Sequence, residues 1–497
     1  MRAPRHGRRG TRALSRLRAG MASRVTNGWT DRRVMLLIAG TMFMEILDGT
    51  ILATAAPAMA HAFGVTAPQI AITITGYLVT LAVLIPLSGW LADRYGARTV
   101  FMSGIALFTI ASGLCATSQS LAELTALRVL QGVGGALMVP VGRMVVLRST
   151  DRSGLVRAVA FLTWPALVAP IVAPLAGGAL TTYLSWRWIF LINVPLGAAA
   201  LTGALRLVPQ TYGEVHSALD WGGFAFSTIC LGSVVVAAAT LGSPSVDWPL
   251  VAASAAAAAL TGAAGVRHLL ADREPLLDLR LFRIDTFRMS HTSGSLFRCT
   301  INAVPFMLPL LFIDGFHWTA VKSGAVLLAL FAGNLGIKPL TTPILRRLGF
   351  RTVIVAADLV AGLTMVLFGL IGDRTPLPAI VVVLVTSGAA RSVGFTAYTT
   401  IAFADIEPAE MRHANTIAST AQQVALGVGA ALGAVALRFG AWTTPALGAG
   451  SATPAYRTAF MIVAAISLLA AVQGTRLRRD GGAELLPARP GTATPTV

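Results

Sequence analysis

Pro86-Leu87-Ser88-Gly89-Trp90-Leu91-Ala92-Asp93-Arg94-Tyr95-Gly96-Ala97-Arg98-Thr99-Val100 returns, 253 residues later, as Pro339-Leu340-Thr341-Thr342-Pro343-Ile344-Leu345-Arg346-Arg347-Leu348-Gly349-Phe350-Arg351-Thr352-Val353. The Pro-Leu, Arg, Gly, Arg and Thr-Val positions agree at one constant offset, which is more than chance supplies. Each copy is a short basic link between two long apolar stretches. Such stretches fill the chain: of 497 residues, 55% are hydrophobic and 12% charged, and the mean hydropathy is +0.72. A soluble domain carries about twice that charge. A single core stops growing near ~250–300 residues, so this much apolar surface could not be hidden from water. Disorder needs the opposite composition. A polytopic membrane protein remains.

Apolar runs of about 20 residues, the length that crosses a bilayer core, start near Val34, Gln69, Thr99, Leu121, Leu155, Trp188, Leu219, Pro249, Met289, Lys322, Thr352, Leu377, Thr416 and Tyr456. The first copy of the repeat joins spans two and three, and the second joins spans ten and eleven. The repeat unit therefore begins at spans one and nine. The expected fold is an all-α polytopic membrane protein of fourteen transmembrane helices: two six-helix halves, 34–207 and 289–474, around a linker, 208–288, with two extra helices. Segments 1–33 and 475–497 are expected to be tails. Parallel six-span repeats with a substrate site at the midplane between them are the architecture of major facilitator transporters.

The formal net charge of +18 has two readings. Arg2, Arg5, Arg8, Arg9, Arg12, Arg16 and Arg18 could contact phosphates, but no nucleic-acid-binding pattern follows them, so no nucleic-acid partner is expected. With the N-terminus inside, 29 of the 39 Lys and Arg residues fall in tails and cytoplasmic loops. The positive-inside rule then places both termini in the cytoplasm, with the chain multi-pass in its membrane. Met21 is an alternative start. Ala58-x-Ala60 resembles a signal cleavage site, but the preceding apolar run is too long and carries Glu45 and Asp48, so no cleavage is expected. Cys115, Cys230 and Cys299 lack metal-like spacing; neither a disulfide nor a metal is expected.

Ionisable residues inside spans are costly and are functional candidates by default. Glu45 lies near mid-bilayer in span one, and Asp48, three residues on, shares its helical face. Two desolvated carboxylates cannot both hold a charge cheaply, so one is expected to exchange a proton. Asp48 is the first choice, with Glu45 as partner or alternate; the competing reading is a structural pair satisfied by arginines across the bundle. Asp48→Asn should then abolish pH-driven transport and leave folding intact. Arg298 corresponds to Glu45 by the repeat offset, so the halves can present opposite charges to a central cavity. Arg391 takes in span twelve the place of Arg128 in span four, Arg143 is expected to snorkel to the headgroups, and Asp358 is expected to be structural. Lys338, in Asn334-Leu335-Gly336-Ile337-Lys338-Pro339, can bind an anionic substrate group, pair with Asp48 or Glu45, or snorkel. Asn334 joins it as a cavity candidate, and Gln422-Gln423 is a cavity or helix-contact pair. Gly89 permits close helix approach, and Asp93, Arg94 and Arg98, in the same gating loop as Gly96, can form a charge latch. Pro165, Pro170, Pro174, Gly177 and Gly178 imply a bent, tightly packed span five.

Four blocks carry a family resemblance: Leu47-Asp48-Gly49-Thr50-Ile51-Leu52-Ala53-Thr54-Ala55-Ala56-Pro57, the loop Gly89 to Arg98, Arg128-Val129-Leu130-Gln131-Gly132-Val133-Gly134-Gly135, and span five from Trp164-Pro165 to Gly177-Gly178. Trp186-Arg187-Trp188-Ile189-Phe190, Ile192-Asn193-Val194-Pro195 and Pro275-Leu276-Leu277-Asp278-Leu279 complete it. From about Val34 to Gly474 the chain resembles the fourteen-span drug:proton antiporter family of the major facilitator superfamily, with Ala53 and Ala173 replacing the usual Asn and Gly. The resemblance implies a proton-coupled multidrug efflux antiporter, Asp48 as motif acid, Arg128 as coupling arginine, a cytoplasmic gating loop and an antiporter-motif helix. Cation exporters of this branch commonly place acids in the second half, where this chain has Arg298, Lys338 and Arg391.

The expected function is proton-coupled export of small amphipathic drugs or toxic metabolites by alternating access. The expected partners are that small molecule, protons and the lipid bilayer; a monomer and no cofactor are expected. An uptake symporter or facilitator on the same scaffold is the rival, and a membrane-embedded enzyme or sensor the rival of another class. No Walker motif, nucleophile elbow or HExxH pattern supports ATP hydrolysis or catalysis.

Overall fold

The computed structural model describes residues 32–65, 67–150, 154–212, 218–243, 245–443, 453–478, 481–482 and 485. The basic segment before residue 32 and the alternative start at Met21 lie outside the described residues.

The first half is built from α1 (Arg32–Phe63), α2 (Ala67–Tyr95), α3 (Ala97–Cys115), α4 (Leu121–Arg148), α5 (Leu155–Thr163), α6 (Pro165–Tyr183), α7 (Trp188–Leu191) and α8 (Asn193–Leu207). Two long helices, α9 (Trp221–Gly242) and α10 (Trp248–Ala271), follow. The second half comprises α11 (Asp285–His291), α12 (Ser293–Leu310), α13 (Ala320–Gly336), α14 (Lys338–Leu348), α15 (Phe350–Leu370), α16 (Leu377–Ile401), α17 (Met411–Thr443) and α18 (Thr453–Gly474).

Among the described residues, twelve helical stretches are long and apolar enough to cross a membrane, and α13 with α14 makes a thirteenth span, bent by 50°. The pair α5–α6, broken at Trp164, takes the place of the expected fifth span. Pro165 supplies the break, because a proline cannot donate to the preceding turn. Pro170 and Pro174 continue in α6 with their side chains outside the described set.

The repeat is visible in the backbone. Gly96 and Gly349, equivalent by the 253-residue offset, both take positive φ, +87° and +76°, immediately before α3 and α15. A glycine reaches that conformation without a Cβ clash, so each half turns its second helix into its third in the same way.

Buried side chains gather mainly inside each half. Ile38, Phe101, Phe108 and Met138 belong to the first, and Phe297, Phe350, Tyr398 and Ile401 to the second. The halves meet along two seams, α2 and α4 against α17, and α5 and α6 against α13, α14 and α16. The extra helices pack on each other, and α9 lies against α2 and α17 over the first seam. Arg438 on α17 donates to the Leu241 and Ser243 carbonyls at the end of α9, a cation on the negative end of a helix.

Asp220 fastens the other end of the extra pair. Its carboxylate caps α9 at Gly223 N (2.7 Å), accepts Leu276 N (3.2 Å) and meets His268 Nε2 on α10 at 2.7 Å. Burial pushes this carboxyl up, but the Gly223, His268 and Leu276 donors outweigh it and hold it below its usual range. A carboxyl held low stabilises the fold above its unfolded pKa of about 3.9 and loses that contribution as pH falls through the lower folded value. Asp220→Ala is therefore expected to cost about 1 kcal/mol as a lost cap, read as a lower unfolding temperature at pH 7. The difference from wild type should shrink below pH 4.

Candidate functional site

Asp48 lies inside the first half, 1% exposed. Arg128 Nη1 on α4 donates to its Oδ2, while Gln131 Nε2 (3.0 Å) and Asn193 Nδ2 on α8 (2.8 Å) donate to its Oδ1. The network continues from Asn193 Nδ2 to Ser112 Oγ on α3 (3.0 Å) and from Ser112 Oγ to the Phe190 carbonyl (2.9 Å). Arg128 also donates to Gln131 Oε1 (2.6 Å), and its guanidinium lies 4.1 Å from the Tyr77 ring centroid. Asp48 thus ties α1 to α4 and α8 within one half. Sequence alone assigns Gln131 no role beyond a motif block; the signal that could have found it is its place three residues after Arg128 on one helical face. Asn193 likewise enters only within a motif block; the signal that could have found it is a polar residue in an apolar run.

Glu45 is half-buried and faces a central cavity of about 210 Å³ between the halves. It makes no hydrogen bond or ion pair among the described residues. The cavity also receives Arg143 from the first half and Arg298, Arg391, Asn302 and Gln422 from the second. Arg143 does not run toward a membrane surface: its Nη1 donates to Gln422 Oε1 at 3.2 Å, across the seam. Arg298 Nη1 donates to the Ser290 carbonyl (3.0 Å), and Arg391 donates to the Ile301 carbonyl (2.7 Å) and Asn302 Oδ1 (3.2 Å). None of the three has a carboxylate partner among the described residues. Glu45 and Arg298, equivalent by the repeat, do line one cavity. Arg391 and Arg128 part company: Arg391 faces the cavity and Arg128 the interior of its own half.

Tyr77 lies between the two acidic positions. Its ring covers Arg128, while its buried Oη, without a hydrogen-bond partner, and Glu45 Oε1 come within 3.3 and 3.7 Å of one point, where a Cβ on Gly135 would sit.

Lys338 is not among the residues lining that cavity. It starts α14 at the 50° bend, and its Nζ donates to Thr163 Oγ1 at the end of α5 (2.6 Å) and Thr396 Oγ1 on α16 (2.9 Å). It joins the halves through hydroxyl groups, with neither Asp48 nor Glu45 as partner. Asn334 is buried at the close crossing of α13 and α16, where its backbone N lies 2.8 Å from a notional Gly388 Cβ. Asp358 is fully buried and accepts Tyr398 Oη at 2.7 Å.

At the end of the bundle carrying the repeated loop, Asp93 takes its cations from elsewhere than Arg94 and Arg98. Arg148 Nη1 (3.2 Å) and Arg412 Nε on α17 (2.7 Å) hold its two oxygens, so the latch crosses between halves. Arg94 lies over Trp90 and Arg98 donates to the Leu205 carbonyl. Asn415 Nδ2 donates to the Pro140 carbonyl (2.9 Å) nearby. A Cβ on Gly89 would meet Thr416 Oγ1 at 2.7 Å, so only glycine allows this closure. In α6, a Cβ on Gly177 would collide with Thr54 Oγ1 of α1, whereas Gly178 faces open space. These ion pairs are partly buried, with side chains 13–25% exposed, and pairs with some solvent access contribute about 1 kcal/mol each. Asp93→Asn is therefore expected to raise the population open at this end by about fivefold, read as longer distances between spin labels at Tyr95 and Glu407.

The Major Facilitator Superfamily model matches residues 38–430 and 292–496. The chain belongs to this superfamily, and is a membrane transporter rather than an enzyme. Among curated relatives, a protein named multidrug resistance protein MdtD in Cronobacter sakazakii is 34% identical over 451 residues, 89% of this chain and 94% of its own length. Its namesake in Serratia proteamaculans is 34% identical over 399 residues, covering 80% and 83%. A crystal structure of the human organic anion transporter MFSD10 shares the fold, with a TM-score of 0.64 at 16% identity, covering 89% of this chain and 99% of that one.

Proposed function

We propose that the chain is a proton-coupled efflux antiporter that exports small amphipathic drugs or toxic metabolites by alternating access. The observation that carries the reading is Glu45, a carboxylate with no partner among the described residues, facing a cavity between the halves one turn from the Asp48–Arg128 pair. The relatives named multidrug resistance proteins support drug export. Glu45 exchanges the proton at the cavity. Asp48, saturated by three donors, holds Arg128 in place, and Tyr77 lies between the two sites. The Gly89–Arg98 loop, with Asp93 held by Arg148 and Arg412, is the cytoplasmic gate, and α6 with Gly177 seals the cavity against α1. The division into 34–207, 208–288 and 289–474 follows the repeat, with 1–33 and 475–497 as cytoplasmic tails. The charge distribution favours both termini in the bacterial cytoplasm, and the working unit is a monomer in the inner membrane lipid bilayer.

A substrate panel in proteoliposomes carrying an internal pH dye tests this. Export should drive proton counterflow into the compartment that substrate leaves. Co-directional flow would replace the reading with an uptake symporter, and flux indifferent to the pH gradient with a facilitator.

A further inference from the structure

We propose that the central cavity selects amphipathic organic anions, a carboxylate or sulfonate on an apolar ring body, and that Arg298, Arg391 and Arg143 hold the anionic head. This rests on the export reading above and names its substrate class.

A guanidinium deep in a bilayer costs several kcal/mol unless something compensates it. Here three share one cavity with a single carboxylate, Glu45, and no described carboxylate pairs with any of them. Their protein partners are neutral and few. Among the described residues Arg298, 5% exposed, makes a single hydrogen bond, to the Ser290 carbonyl, and its buried Nε has no partner. Arg391 is held by a carbonyl and an amide oxygen, and Arg143 by the Gln422 amide. Arg143 and Arg298 also repel one another. Neutral acceptors hold these groups without cancelling their charge, so an entering anion meets three guanidinium charges that no described carboxylate neutralises. Guanidinium groups bind carboxylate and sulfonate oxygens through paired N–H donors, and a cation of the same size meets net repulsion. The remaining wall carries Met42, Ile46, Ile85, Val139, Phe395 and Leu426, an apolar surface suited to a ring body. Arg298 and Arg391 come from the second half and Arg143 from the first, so one bound anion bridges the halves.

The test is isothermal titration calorimetry on the full chain in lipid nanodiscs, with three probes that share a naphthalene ring: 2-naphthoate, 2-naphthamide and 2-naphthylmethylammonium. Naphthoate is expected to bind at least about tenfold more tightly than the amide, equivalent to 1.4 kcal/mol, and the ammonium more weakly than either. Arg298→Gln and Arg391→Gln should each remove about tenfold of naphthoate affinity and leave naphthamide unchanged, whereas Lys322→Gln, an exposed charge removed elsewhere, should change nothing. Should a glutamine variant fail to fold, the ranking of probes on the wild-type chain still decides. Equal binding of all three, preference for the ammonium, or no naphthoate binding below about 1 mM overturns the proposal. Proton-coupled export with no anion preference defeats this inference and spares the export reading. Anion binding without proton-coupled export does the reverse.

Discussion

Asp48→Asn is expected to lose proton-driven export and to unfold well below the wild-type temperature. The carboxylate accepts Arg128, Gln131 and Asn193 at once. An asparagine keeps one acceptor oxygen and turns an NH2 group toward donors that need acceptors. Arg128, fully buried, would keep its charge without a counter-charge. Breaking a buried pair from one side costs about 3–5 kcal/mol. The double variant Asp48→Asn/Arg128→Gln removes both charges and should recover most of that loss without recovering export. Thermal unfolding of the purified chain, alongside pH-driven flux in proteoliposomes, separates the two effects. If Asp48→Asn kept wild-type stability, Asp48 would not be the group that neutralises Arg128.

Glu45→Gln should behave in the opposite manner. Glu45 has no described hydrogen-bond partner to lose and sits at a cavity wall, so the near-isosteric amide should leave the unfolding temperature close to wild type. On the proposed reading, what it removes is the exchangeable proton. One pH unit across the membrane is worth about 1.4 kcal/mol, a tenfold substrate ratio, for each coupled proton. Glu45→Gln should lose that tenfold and still equilibrate substrate down its own gradient. Counterflow in proteoliposomes with and without a pH gradient reads this directly, and undiminished accumulation would move the proton site away from Glu45.

The contrast between these variants marks where sequence reading stops. Glu45 and Asp48 are three residues apart, both acidic and both placed on one face by helical spacing. The family motif favours Asp48. Their environments differ because α4 and α8 bring Arg128, Gln131 and Asn193 to one carboxylate and leave the other at the cavity. Spacing along α1 carries no information about which distant helices will face each turn.

Lys338 makes the same point. Its rarity in a span was legible, but its two threonine partners lie 175 and 58 residues away. Nor does Pro339 alone explain the bend before α14. Its repeat equivalent, Pro86, sits inside the unbroken α2, whereas α14 carries a second proline at Pro343 and begins at a lysine held between the halves.

The chain's own order of residues determined the all-helical membrane fold, the six-span repeat with its matched Gly96 and Gly349, and the presence of uncommon charges inside spans. These follow from local physics: apolar run length against bilayer thickness, backbone freedom at glycine, and the cost of charge in hydrocarbon. Only the tertiary structure decided that Asp48 is saturated and Glu45 unpaired, that Arg412 rather than Arg94 closes on Asp93, and that Arg143, Arg298 and Arg391 converge. Those pairings depend on how two halves dock, and a charge in a low-dielectric interior acts only on what docking brings within a few ångströms.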